Sequence, residues 1–393
     1  MDMTAIQLSE EQVKPRTIRQ WLVMDPLLLV AALGLVGCSL VTLKGAVGTH
    51  YAERQAMYAG LGLLLALVIS RFDYSRLREY RYGFYALMVV SNLFVYAFPA
   101  APNTGAQRWI PLPFLQVQPS EFGKILMILA LAGFFVERSR SLHDRRTTAR
   151  VMLLSLLGAM IVIGQPDLGT GLVYVVIAVA ILFFGGTSWK QLTALAALFV
   201  TAGVLVLAVA PAIGVNVLKN YQKERLTTFI NPPRVCGQND TTCYQLNQSL
   251  IAIGSGQKTG RGVAGATQTK FQFIPEAQDD FIFAVVGETY GFVGAALVLS
   301  LYALLIWRTL RILTMAKNLF GTVIAGGILA MLMFQIFVNV GMTIGIMPVT
   351  GVPLPLFSYG GSSVLVTFIS LGLLQSIYKQ GRAAVAGKAR VVL

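Results

Sequence analysis

Long apolar runs separated by short polar stretches dominate this chain, and their lengths set its architecture. A helix crossing a bilayer needs roughly 20 mostly apolar residues, and such runs fall at 26–43, 56–70, 82–98, 122–136, 151–164, 169–186, 192–213, 281–307, 319–346 and 354–377. The pattern predicts ten transmembrane helices. The second, fourth and fifth runs are short, and the fifth also reads as one arm of a re-entrant pair with the sixth. Only one connection is large. From Gly214 to Asp279 the chain turns polar, with the turn-forming Asn231-Pro-Pro233 and a glycine-rich stretch from Gly254 through Gly265. Its apolar punctuation at Tyr221, Phe229, Tyr244, Leu250 to Ile253 and Phe271 to Ile274 predicts short ordered elements on a membrane surface.

Composition agrees with this reading. Hydrophobic residues make up 55% of the 393 and charged residues 12%, where a soluble domain carries about 25% charged residues. The fold class expected is an all-α integral membrane protein with the large loop, 214–279, between helices seven and eight.

Basic residues orient it, because Lys and Arg in short loops stay on the cytoplasmic side. With ten spans, one side receives Lys14 to Arg19, Arg71 to Arg81, Arg138 to Arg150, Lys190, Arg308 to Lys317 and Lys379 to Arg390. The short loops of the other side hold Lys44, Arg54 and Arg108 and little else that is basic. Both termini are therefore expected in the cytoplasm, as tails over 1–22 and 380–393 that flank a membrane domain over 23–379. The polar first 20 residues do not read as a cleaved leader. The formal charge of +14 follows from anchoring to anionic headgroups and calls for no nucleic-acid partner.

Candidate chemistry gathers at the predicted outer ends of the spans. Phe273-Ile-Pro-Glu-Ala-Gln-Asp-Asp-Phe281 puts Glu276, Asp279 and Asp280 where the long loop meets an apolar helix. Two adjacent acids exceed what a helix N-terminus requires. Glu288 follows two turns inside the eighth run, where an isolated acid is expensive. Gln118-Pro-Ser-Glu121 opens the fourth run with Lys124 on the same face as Glu121, a spacing that suits either a structural ion pair or a site. Asp167, in Gln165-Pro-Asp-Leu-Gly169, either caps the sixth helix or faces a ligand. Arg108 sits beside Trp109, and Arg54 lies on the same expected face. Pro348-Val-Thr-Gly-Val-Pro-Leu-Pro355 breaks the backbone before Ser358 and Ser362, which either satisfy freed backbone groups or line a site. Such irregular backbone survives at membrane depth only where protein buries it or where it lines a cavity.

Cys236 and Cys243 bracket a polar turn on the expected outer face, where oxidation is permitted, and a local disulfide is expected there. Cys38 lies inside the first run. His50 and His143 are isolated, and no His/Cys cluster has metal spacing.

Taken in order, Gly105-Ala-Gln-Arg-Trp109, Gln118-Pro-Ser-Glu121, Gln165-Pro-Asp-Leu-Gly-Thr170, Tyr221-Gln222, Pro275-Glu276, Asp280-Phe-Ile-Phe283, Pro353-Leu-Pro355 and Ser358-Tyr-Gly-Gly-Ser-Ser363 resemble the SEDS proteins, the RodA/FtsW group. Within it, Gly341-Met-Thr-Ile-Gly345 and Gly186-Thr-Ser-Trp189 look more like RodA than FtsW. Two departures stand out: the usual His-Thr-Asp is Gln278-Asp279-Asp280 here, and the large loop carries an insert around Cys236 and Cys243.

The resemblance implies a peptidoglycan glycosyltransferase that polymerises lipid II at the outer face of the cytoplasmic membrane during cell elongation, beside a class B penicillin-binding protein. Asp280 then matches the general base, with inversion at the donor sugar. Arg108 and Lys124 would meet the donor pyrophosphate, while Arg54, Glu121, Asp167, Ser358 and Ser362 would complete the substrate site. A divalent cation, Mg or Mn, could assist; no organic cofactor is implied. Two readings of other classes stand beside this one, a lipid II flippase and a scaffold that only recruits a transpeptidase, together with a division polymerase of the FtsW type. Against the flippase, the halves show no internal repeat and the acids crowd one face instead of forming a path across the bilayer.

Overall fold

The computed structural model describes residues 24–98, 108–111, 116–138, 144–205, 225, 229 and 241–391. Its helices are α1 (Pro26–Thr42), α2 (Thr49–Ile69), α3 (Arg81–Phe94), α4 (Pro119–Glu137), α5 (Arg145–Gly164), α6 (Leu168–Phe184) and α7 (Trp189–Val204). The large loop contributes α8 (Thr241–Gly256) and the single turns α9 (Gly262–Gly265) and α10 (Thr267–Lys270). Then come α11 (Ile282–Thr314), α12 (Leu319–Thr343) and α13 (Gly361–Val391). A two-residue antiparallel ribbon, β1 (Ile110–Pro111) with β2 (Gln116–Val117), precedes α4.

Every apolar run of the sequence lands on a helix, but the helices are unequal. Among the described residues, seven are long and apolar enough to cross a membrane: α1 with its π-turn extension to Val47, α2, α4, α5, α11, α12 and α13 up to Val385. Helices α6 and α7 are shorter apolar helices, and α3 has only 14 residues. The chain is a multi-pass, all-α membrane protein.

Packing separates inner helices from outer ones. Most of α4, α12 and α13 is enclosed by neighbours, with α12 against α6, α4 and α11 and with α13 along α2. On the outer helices, Leu33, Val41, Leu61, Leu64, Val90, Leu153, Met160 and Leu297 stay exposed. An apolar flank this continuous is stable only against lipid.

Polar signals in the sequence explain the helix starts. Asp25 caps α1 through Leu28 N at 2.9 Å, ahead of Pro26 at the first turn. Its carboxylate is fully buried and meets the Arg308 guanidinium of α11 through Nε at 3.0 Å and 3.1 Å. The Asp25 backbone is held by the Gln375 amide of α13. Asp73 with Gln380 and Asn318 with Tyr74 tie the same end of the bundle.

The eighth run departs from a plain span. At Gly291 the backbone leaves the helix with φ 63° and ψ −157°, so α11 consists of a short first segment and a long second one. The loop after α8 fills the break. Phe292 N donates to Gln257 O at 2.9 Å, Val293 N to Lys258 O at 3.1 Å, and Arg261 N to Glu288 O at 2.9 Å. These bonds replace those that the break removes. Glu288 is therefore not an acid deep inside a span. It lies before the break, and its carboxylate accepts from Gln268 N at 2.8 Å, Thr269 N at 3.0 Å and Thr269 Oγ1 at 2.7 Å, holding α10 in place. The tenth run also begins later than expected, at Gly361, because 348–360 is irregular.

The crossing at Gly291 is too close for a side chain. A methyl group there would stand 2.3 Å from Gly260 N and 2.8 Å from Gly256 O, at a left-handed φ that only glycine adopts freely. Gly291→Ala should destabilise the fold by more than about 1 kcal/mol. The expected result is a clear fall in the thermal unfolding midpoint of the detergent-solubilised protein, and an unchanged midpoint would refute the crossing.

Candidate active site

At the end of the bundle opposite Asp25 and Arg308, a cleft of about 960 Å³ opens. The Gln165–Asp167 turn before α6, the ribbon before α4, the Pro275–Phe281 segment before α11, the Val349–Pro353 turn and the start of α13 all contribute to its walls. Arg54, Tyr58, Arg108, Trp109, Glu121, Asp167, Arg225, Glu276, Asp279, Asp280 and Ser362 line it. Residues spread from 54 to 362 in sequence thus share one mouth. This convergence is what the predicted outer face required.

Asp280 owes its position to backbone contacts. Asn339 of α12 donates its side-chain amide to Asp280 O at 2.9 Å and to Val352 O at 2.8 Å. Ser358 Oγ donates to Asp279 O at 2.5 Å and accepts from Leu354 N at 2.8 Å, while Tyr359 N donates to Gln278 O at 2.9 Å. The acidic segment and the broken turn therefore hold each other. Gly351 lies against Asp280 with φ +73°, and a methyl built on it would come within 3.3 Å of Asp280 Oδ2.

This environment raises the carboxyl's proton affinity. Burial pushes Asp280 up to about 6; the Arg225 charge pulls down, Glu276 pushes up, Arg108 pulls down and Asp167 pushes up. Asp279 is pushed well above the ordinary range, first by burial and then by the charges of Asp280 and Glu276. Its Oδ1 is buried with no hydrogen-bond partner. Two neighbouring acids thus differ in character: arginine charges pull Asp280 back toward ionisation, whereas every influence on Asp279 raises it.

The other expected residues divide between cleft and scaffold. Arg108 lines the cleft and is aimed by Nε donating to Gln165 O at 3.1 Å and by a second bond to Pro166 O. Asp167 does both jobs weighed above. Its Oδ1 caps α6 through Thr170 N at 3.1 Å, while Oδ2 faces Gln118 Nε2 at 3.1 Å and Ser120 Oγ at 3.4 Å at the cleft wall. Glu121 reaches the cleft, but Lys124 is not among the lining residues. The Lys124 ammonium is buried behind the wall against Glu121 Oε1 at 2.6 Å. Ser362 lines the cleft and joins α13 to the ribbon, accepting from Gln118 N and donating to Gln116 O, each at 3.0 Å. Ser358 is buried within the turn it organises, away from the lining. Cys243 is disulfide-bonded; Cys236, its expected partner, lies outside the described residues.

Three contributors escaped sequence reasoning. Asn339 and Gln55, whose amide donates to Ser358 O at 3.0 Å, are amides inside apolar helices, and that anomaly was a usable signal. Arg225 belongs to a charged run 55 residues before Asp280 in sequence, and nothing local announced that the two would meet.

The donor set does not make a protein-built metal centre. Among the described residues no group of three or more His, Cys, Asp or Glu could hold a metal ion.

Comparison with known proteins places this geometry. The family model of cell cycle proteins FTSW_RODA_SPOVE matches residues 18–383. Peptidoglycan glycosyltransferase MrdB of Escherichia coli K12 is 36% identical over 90% of this chain and 93% of its own. Peptidoglycan glycosyltransferase RodA of Treponema pallidum is 33% identical over 90% and 97%. Among solved structures, a chain from a study of how a peptidoglycan synthase complex coordinates polymerization and crosslinking superposes with a TM-score of 0.76 at 32% identity, covering 92% of this chain and 99% of that one. Thermus thermophilus RodA gives 0.67 at 29% identity, covering 92% and 98%.

The Lys124 and Glu121 pair yields a stability test. Removing one partner of a buried pair strands the other charge, at a cost of about 3–5 kcal/mol, and Glu121 Oε2 already lacks a partner. Lys124→Ala should therefore unfold at a markedly lower temperature than Lys124→Met combined with Glu121→Gln. Equal midpoints for the two would show that the pair is not energetically coupled.

Proposed function

Because this chain belongs to the FTSW_RODA_SPOVE family of cell cycle proteins, we propose that its cleft polymerises lipid II, with Asp280 as the general base. The chain is a peptidoglycan glycosyltransferase. The observation that carries the base assignment is the position of Asp280, a carboxylate raised toward neutrality, fixed by its backbone and facing a cavity lined by arginines.

Glycan extension asks for two things of a protein. The 4-hydroxyl of the acceptor sugar must lose a proton as it attacks, and the lipid-linked pyrophosphate must be stabilised as it leaves. Asp280 takes the proton. Its affinity, near 6, keeps it ionised at neutral pH while leaving it basic enough to accept. Arg108 and Arg54 supply positive charge at the same cavity, so the leaving pyrophosphate lies on their side. Forming a β-linkage from an α-linked donor in one displacement inverts the anomeric carbon. One base opposite the leaving group suffices, and no covalent sugar intermediate arises. Lys124 acts through Glu121, orienting that carboxylate at the wall instead of touching phosphate. Asp167 and Ser362 shape the cavity between them. Among the described residues no group of three or more His, Cys, Asp or Glu could hold a metal ion, so a divalent cation would be held by the substrate phosphates and by water.

The orientation proposed with this function places the cleft outside the cytoplasmic membrane and the Asp25–Arg308 end inside, with both termini cytoplasmic and ten spans in all. Helices α3, α6 and α7 supply the three beyond the seven long ones. The basic loops support this, as does the single mouth shared by Arg54, Arg108, Asp167 and Asp280. A role in elongation beside a class B penicillin-binding protein follows from the RodA-like sequence features and from the neighbouring synthase complex.

Replacing the base decides the assignment. Asp280→Asn should abolish polymerisation of purified lipid II while unfolding at the normal temperature; wild-type activity in that variant would overturn it. Asp279→Asn should keep substantial activity, and if it alone is dead the base lies one residue earlier. Arg108→Ala should lower turnover roughly 100-fold, the effect of removing a group that stabilises charge in the transition state.

For wild type, kcat/KM should fall as pH drops through about 6, the raised affinity of Asp280, because protonation removes the base. Above that pH it should level off. A flat profile between pH 5 and 7 would exclude a carboxylate with this affinity as the base.

A further inference from the structure

The large loop contributes Arg225 to the lining of the cleft. Arg225 and Asp280 both line the cavity, and both approach the Val349–Pro353 turn at Gly351. A methyl group built on Gly351 would lie 3.3 Å from Asp280 Oδ2 and 4.0 Å from an Arg225 guanidinium nitrogen. The carboxylate and the guanidinium thus lie close to the same glycine. Gly351 has φ +73°, a conformation that by itself favours glycine. We propose that Arg225 is a positioning residue for the glycosyl transfer, holding the Asp280 carboxylate ionised and aimed into the cleft, next to a turn whose Gly351 leaves room for both side chains.

The surroundings of Asp280 leave this role open. On its own segment the neighbours are Asp279 and Glu276, both acidic. Of the other elements around the cleft, the turn before α6 contributes Asp167 and α4 contributes Glu121. All of these acids oppose ionisation of Asp280 or lend it nothing. Positive charge comes from Arg108 before the ribbon, from Arg54 on α2 and from Arg225. Arg108 is committed through Nε and a terminal nitrogen to the carbonyls of Gln165 and Pro166. The Val349–Pro353 turn and the start of α13 carry no acid or base besides the Tyr359 phenol, which packs on Tyr51 and Tyr58. Of the charges acting on Asp280, that of Arg225 is the strongest and favours the ionised form. Without it, burial and the charges of Glu276 and Asp167 would face Asp280 with the Arg108 charge in opposition.

The proposal rests on Asp280 being the base, and its test is built to separate the two ideas. Lipid II polymerisation by the purified full-length protein is followed across pH 5 to 8.5 for wild type, Arg225→Met, Arg225→Lys and Gly351→Ala, with thermal unfolding as the check on folding. The acidic limb of kcat/KM should move upward by about one pH unit in Arg225→Met, the scale expected for loss of one nearby opposite charge. Arg225→Lys keeps a charge and should hold the limb near its wild-type place. Gly351→Ala leaves both charges present but crowds Asp280 Oδ2 with a methyl at 3.3 Å, which disfavours the charged carboxylate, so its limb should move in the Arg225→Met direction. Should either of these two variants not fold, the other reads the same displacement. A limb that stays put in the folded variants overturns the proposal, as does an equal displacement in Arg225→Lys and Arg225→Met, which would make the charge irrelevant. A wild-type limb that persists in Asp280→Asn instead defeats the base assignment, and that outcome is distinct from both.

Discussion

Backbone without regular structure at membrane depth must find every hydrogen bond inside the protein, and the segment from Pro348 to Gly360 sets this problem for the whole fold. Side chains from four helices solve it. Ser39 of α1 donates to Phe357 O at 2.6 Å, Gln55 of α2 to Ser358 O at 3.0 Å, Tyr302 of α11 to Pro355 O at 2.7 Å and Asn339 of α12 to Val352 O at 2.8 Å. Each donor is buried, so each would be costly if left unpaired. The irregular turn therefore acts as a hub: four helices can satisfy it at once in only one arrangement.

The same hub reaches the acidic segment through Asn339, Ser358 and Tyr359, and chemistry depends on that link. Only backbone carbonyls of Gln278, Asp279 and Asp280 are engaged in those contacts. The Asp280 carboxylate is thereby placed by its main chain and left to face the cavity. Other acids of the protein are used differently. Glu288 is consumed by two backbone N–H groups and a hydroxyl, Asp167 by a helix cap, Glu121 by Lys124, and Asp25 by Arg308. An acid that holds structure is tied through its oxygens; the acid assigned to chemistry is tied through its backbone.

Much of this was legible in the sequence because the bilayer simplifies the reading. Apolar runs located each long helix, since a lipid-facing or buried helix cannot hide its composition, but not its ends: α2 starts seven residues before its run and α13 seven residues after. The Asp280, Arg108, Asp167 and Ser362 motifs pointed to residues that line one cleft. Where the reading failed, long-range contact was responsible. Glu288 looked like a lone acid inside a span because the break at Gly291 and the loop that fills it are encoded 31 residues apart, at Gly260 and Gly291. Lys124 looked like a phosphate ligand because helical spacing fixes which face it shares with Glu121 but not how deep that face is buried. Arg225 was invisible as a partner of Asp280 for the same reason, since only the folded turn at Gly351 brings them together.

Asp279, which stands where the resemblance to the SEDS group leads one to expect threonine, gains meaning from this arrangement. A second carboxylate beside the base raises the proton affinity of both, and burial adds to it. Were Asp279 ionised, its charge would push Asp280 toward permanent protonation and remove the base at neutral pH. Burial and the charges of Asp280 and Glu276 push the Asp279 carboxyl well above the ordinary range. Both acids line the cleft that holds the arginines. The charges of Arg225 and Arg108 pull Asp280 back toward ionisation, whereas the influences on Asp279 all raise it.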